Sequence, residues 1–214
     1  MSFANRAISF LFPLCLLTLS GYAQATAPDA DVVNLRTHWA KAKFETPQAQ
    51  RLAALDVVIN EADKLNNQYP NDPRVMLWYA TALSSYAQLK GGVGVLPRVK
   101  KARGLLEEAL TKQPRVEQGL GYGVIGAMYA RVPGWPVAFG DKKKARAFLQ
   151  ATIKINPKGA DSNYYYGDFL VDNGEFEEGR KHLEIAKNAP IRKGYEIQDK
   201  GRKSEIAESL AKIR

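Results

Sequence analysis

One register recurs three times and limits what this chain can fold into. It reads Ala102-x-x-x-Leu106-x-x-Ala109 with Pro114, Ala145-x-x-x-Leu149-x-x-Thr152 with Pro157, and Gly179-x-x-x-Leu183-x-x-Ala186 with Pro190. Small and large residues at this spacing share one helical face: the small ones let a neighbouring helix approach, and the large one fills the groove between them. The proline ends the helix before the next unit. A chain built this way must bury helix against helix.

The stretch from Gly140 to Pro190 shows the unit most clearly. It predicts a helix over Asp141 to Ile155, a break at Asn156-Pro157-Lys158-Gly159, a helix from Ala160 to Asp172, a break at Asn173-Gly174, and a third helix ending before Pro190. With Tyr166-Gly167-x-x-Leu170 placed ahead of the Gly179 register, the pattern resembles the tetratricopeptide repeat. From Ala145 to Gly179 is 34 residues, that family's period, whereas the 43 residues from Ala102 to Ala145 imply an insertion. The resemblance implies an all-α fold, a right-handed superhelical solenoid of about four helical hairpins with a covering helix at each end.

Residues 1–25 read as a signal peptide. Arg6 is their only charge, Ala7 to Leu19 is a short apolar run, and Ala23-Gln24-Ala25 suits cleavage before Thr26, which predicts a periplasmic location. A lipid anchor on Cys15 and an uncleaved amino-terminal anchor are the alternatives. Phe12-Pro13-Leu14 lacks the small residues a lipidation site needs. Cys15 is the only cysteine, so the mature chain must be stabilised by packing and not by disulfides.

Thr26 to Asp31 is expected as a flexible leader and 32–214 as one solenoid domain. Val32, Leu35, Trp39 and Phe44 mark a first helix, and Thr46-Pro47 a capped start of the next. Asp72 is the expected cap of an unusually apolar helix over Arg74 to Leu89. Inserted loops at 90–97 and 132–140, one glycine-rich and one with Pro133, Trp135, Pro136 and Phe139, are expected at the same edge of the stack. Gly119, Gly121, Gly123 and Gly126 crowd one helix, and close approach of a neighbouring helix is the favoured reason. A last amphipathic helix, with Ile197, Ile206, Leu210 and Ile213 on one side, should close the stack.

Chemistry is sparse. His38 and His182 are isolated, and no nucleophile with its base, metal-ligand spacing or P-loop ending is present, so no catalytic residue, metal or cofactor is expected. The carboxylates Asp161, Asp168, Asp172, Glu175, Glu177 and Glu178 suit helix caps and a solvated face. The net charge of +9 points to a solvated basic surface and, for an exported protein, away from nucleic acid.

In tetratricopeptide stacks the first helix of each hairpin lines the concave face. The resemblance therefore directs Tyr79, Leu83 and Tyr86, then Val124 and Ala127, then Tyr164 and Asp168 into that groove, with Trp135 and Phe139 at its mouth. Small residues flanked by aromatics suit an apolar helix, acyl chain or small molecule. The alternative is a groove filled by the terminal helix or by the inserted loops.

From Asn71 to Ala189, the proline-rich loop, Gly140-Asp141, Lys144-Ala145, Leu149, Ile155-Asn156-Pro157 and Tyr165-Tyr166-Gly167 together resemble the T component of tetratricopeptide-associated TRAP transporters. That implies a non-catalytic envelope protein, a homotrimer, a periplasmic substrate-binding subunit as partner and an apolar ligand. A structural adaptor acting through the basic outer surface and an enzyme with a carboxylate site are the alternatives.

Overall fold

The computed structural model describes residues 26–213, all of whose regular structure is helical; the signal-peptide reading and Cys15 lie outside them. The helices are α1 (Asp29–Ala40), α2 (Arg51–Gln68), α3 (Pro73–Lys90), α4 (Leu96–Lys112), α5 (Leu120–Arg131), α6 (Lys142–Ile155), α7 (Ala160–Asp172), α8 (Phe176–Asn188) and α9 (Glu196–Ala211).

Local chemistry sets the boundaries. The Asp72 carboxylate accepts the Arg74 amide at the start of α3, where Pro73 opens the helix, and Asp141 accepts the amides of Lys143 and Lys144 at the start of α6. Thr46 does not cap as expected. Its hydroxyl donates back to the Lys41 carbonyl, and a short 3-10 turn at Gln48–Gln50 precedes α2. The expected free leader is also tied down: Ala27 is buried, and its amide donates to Asp72 Oδ2 at 2.9 Å.

The even-numbered helices fold back antiparallel on the helix before each. In the last hairpin Gly167 faces Leu183 while Val171 faces Gly179. The odd-numbered helices pack side by side and parallel. Facing pairs keep a nearly constant sequence offset: Trp39 with Trp78, Gly123 with Tyr165, Asp161 with Arg202, and Asp168 with Ser209.

The glycines of α5 make this spacing achievable. A methyl group at Gly126 would lie 2.7 Å from Leu149, and one at Gly123 would lie 2.7 Å from Tyr165. Helix packing is therefore their role. Gly119 differs, since it adopts φ +83° immediately before α5.

The first and last helices meet. Arg36 donates to the Gly194 carbonyl at 2.8 Å, and Lys43, just after α1, pairs with Glu205 of α9 at 2.8 Å. Helices α1, α3, α5, α7 and α9 thus close around a residual central cavity of about 20 Å³, with α2, α4, α6 and α8 outside them. Helix α9 is not held by its apolar side alone. Gln198, Asp199, Arg202 and Ser209 are buried alongside Ile206, whereas Ile197, Leu210 and Ile213 are only half-buried.

Candidate binding cleft

Asp161 and Asp168 are not on a solvated face. Asp161 accepts from Arg202 Nε at 3.0 Å and from Arg192 Nη2 at 2.8 Å, and Asp168 accepts from Arg131 Nη2 at 2.5 Å and from Ser209 Oγ at 2.6 Å. The other four carboxylates, Asp172, Glu175, Glu177 and Glu178, are exposed. Burial raises the Asp161 carboxyl, but Arg202 and Arg192 outweigh it, so Asp161 titrates below the usual carboxylate range. Asp168 is lowered likewise, burial being outweighed by Arg131, Ser209 and Lys212. In contrast, burial pulls the Lys43 ammonium down despite Glu205 beside it.

The central cavity is therefore polar. Lys43, Thr81, Ser85, Arg202 and Glu205 line it together with Val124 and Tyr164, and the Arg202 guanidinium lies 4.3 Å from the Tyr164 ring centroid. The inward stripe of α3 is Thr81, Ser84, Ser85 and Gln88. Tyr79 and Tyr86 lie on the opposite face: Tyr79 donates to Asp63 at 2.7 Å, and Arg98 sits 3.9 Å from the Tyr86 ring centroid. Leu83 is enclosed in the core. Residues 79, 83 and 86 stand about 200° around the helix from 81, 85 and 88, which is why one stripe excludes the other.

An open cleft of about 430 Å³ enters between the carboxyl-terminal ends of α3 and α5. Both inserted loops border it, so they do emerge at one edge. The first loop leaves α3 through Gly91 and Gly92, with φ of +65° and +74°, and returns through a single turn, Val93–Val95, into α4. The second loop closes on itself: Gly140 donates to the Pro133 carbonyl at 2.9 Å, and Val137 and Ala138 donate to the Gly134 carbonyl at 3.1 Å. A side chain at Gly140 would collide with the Val132 carbonyl.

Ala87, Val93, Val95, Leu96, Val99, Met128, Val132 and Pro133 give the cleft apolar walls. Ser84, Gln88, Ala127 and Arg131 border both the cleft and the central cavity, so polarity rises inward. Of the residues singled out from sequence, Ala127 lines the cleft, while Val124 and Tyr164 line the cavity behind it. Trp135 projects from the second loop, 89% exposed. Phe139 packs against Tyr129, with ring centroids 5.2 Å apart. Asp168 holds Arg131 from the far side.

Sequence reasoning missed Ser84, Gln88, Val99, Met128 and Arg131. The available signal was the polar stripe through an otherwise apolar α3. A wider and more open depression of about 560 Å³ between α1 and α2 is lined by Asn34, His38, Asn60, Glu61 and Lys64 together with the apolar Val57 and Leu65.

Among the described residues, no group of three or more His, Cys, Asp and Glu is placed to hold a metal ion, and no helix is long and apolar enough to cross a membrane. No family model and no curated protein matches this chain.

Proposed function

We propose that this protein is a non-catalytic, periplasmic binding protein of the tetratricopeptide type, engaging an apolar ligand at the loop edge and acting within a TRAP-type transport system. The observation that carries the reading is the cleft itself. Its volume of about 430 Å³ lies in the range of small-molecule sites, and its walls are apolar with a few polar groups gathered at one end. Desolvation of those walls supplies affinity, and cleft shape supplies selectivity.

The hairpin succession and parallel inner helices support the repeat assignment, and the sequence resemblance from Asn71 to Ala189 supports the transport setting. In this reading the envelope partner, a substrate-binding subunit, meets the exposed apolar tips at Val93, Trp135 and Val137.

The test is titration of the purified protein with phenylnaphthylamine, a neutral fluorophore that brightens in apolar surroundings. Saturable one-to-one binding that disappears in an Ala127→Trp variant of unchanged helicity is expected. A lack of saturable binding, or binding indifferent to Ala127→Trp, overturns the reading. Native mass spectrometry of the same preparation tests the trimer.

A further inference from the structure

We infer that the ligand of the cleft is a single-chain amphiphile bearing a carboxylate, with its head on Arg131 and its tail running outward between the two loops. The inference rests on the cleft being the binding site, and adds to it the ligand's chemical class and orientation.

Orientation follows from the polarity gradient. At the inner end stand Ser84, Gln88 and Arg131, and beyond them a polar cavity of only about 20 Å³. An alkyl tail pointing inward would meet hydroxyls and charges in a space too small to hold it. At the outer end stand Val93, Val95, Val132 and Pro133, with the exposed Trp135 two residues further along the second loop. An apolar chain pointing outward lies against Val93, Val95, Val132 and Pro133.

The head group follows from how Arg131 is used. Only its Nη2 is engaged, on Asp168; Nε and Nη1 donate to no protein acceptor among the described residues, and the side chain remains 36% exposed. Asp168 does not depend on Arg131 alone, since Ser209 and Lys212 also donate to it. Glu205, the one acid on the cavity wall among the described residues, is already paired with Lys43 and Arg202. A guanidinium with spare donors in fixed planar geometry matches a carboxylate, and Gln88 and Ser84 stand beside it as further polar partners. The cleft sits near the lower end of the size range of ligand sites, which suits one chain and not the two of a phospholipid.

The experiment compares laurate with dodecanol, which share a tail and differ in charge, by calorimetric titration of the purified protein near neutral pH. Laurate is expected to bind at least tenfold tighter. Arg131→Gln should abolish the preference for laurate over dodecanol, and Arg131→Lys should restore part of it. Equal binding of acid and alcohol overturns the inference and leaves the cleft reading standing. Binding of neither overturns both. The comparison in the unaltered protein decides the matter even where Arg131→Gln fails to fold.

Discussion

Arg202 of α9 and Asp161 of α7 form an ion pair sealed from solvent, Nε to Oδ1 at 3.0 Å, with the arginine fully buried and the aspartate 7% exposed. Arg192 and Gln198 also donate to Asp161, and Arg202 reaches on to Glu205 and to the Tyr165 hydroxyl. This cluster fixes α9 in register against α7, closing the inner helices. Such pairs contribute little net stability but are costly to break from one side, because the remaining charge stays buried. Asp161→Asn should therefore lose about 3 kcal/mol in urea unfolding. The double variant Asp161→Leu with Arg202→Met should not recover that loss, because it leaves the buried Gln198 amide without its acceptor and Glu205 without one of its two cations, and full recovery would show that the pair is an exchangeable contact.

The same cluster sets the acid limit. Asp161, Asp168 and Glu205 all titrate below the ordinary range in the folded protein. The unfolded chain then binds more protons than the folded one as pH drops below about 4, so the stability these groups supply is intact above that pH and is lost as pH falls toward their depressed values. The melting temperature should ease slightly below about pH 6.5, where burial holds the His182 imidazole neutral in the folded protein, and fall steeply below about pH 4. A melting temperature that stayed level to about pH 2.5 would contradict the assignment. Asp168→Asn should make the fall shallower.

Two glycines should respond to alanine with opposite signs. A methyl group at Gly126 would press on Leu149 and stand 3.2 Å from the Ala145 carbonyl, where backbone cannot retreat cheaply. Overpacking of about 1–3 kcal/mol outweighs a helix-propensity gain of about 1 kcal/mol, so Gly126→Ala should destabilise. Gly104 in α4 has nothing within 4 Å of the new methyl group. Gly104→Ala should stabilise by about 0.5–1 kcal/mol. Denaturant unfolding of both variants side by side checks this. A stabilising Gly126→Ala would mean that α5 and α6 lie further apart than described.

The helices were legible because their signals are local: periodic apolar positions, Asp72 as a cap, prolines and glycines as stops. The shared edge of the two loops was legible from insertion in a repeating register. Filling of the groove by the terminal helix stood as an alternative, but that the filling is polar was not legible. It depends on Lys43, Arg202 and Glu205, which are distant in sequence and whose residue types ordinarily report solvent exposure. Tyr79 and Tyr86 misled for a related reason. Aromatic residues on an apolar helix fit either of its two packed sides, and only the polar stripe through Thr81, Ser84, Ser85 and Gln88 tells which side faces inward.

Trp135 separates binding from folding. At 89% exposure it contributes almost nothing to the core, and its loop is held by backbone hydrogen bonds from Val137, Ala138 and Gly140 that do not involve the indole. Surface changes of this kind fall within about 0.5 kcal/mol, so Trp135→Ser should leave the unfolding midpoint unchanged. Ligand affinity should fall severalfold, since the outer end of a bound tail loses the apolar surface that keeps water from it. Titration with dodecanol measures this without the head-group contribution. A shifted midpoint would show that the indole packs on the fold, and unchanged affinity would remove the indole from the site and leave Val132 and Pro133 as the second loop's part of it.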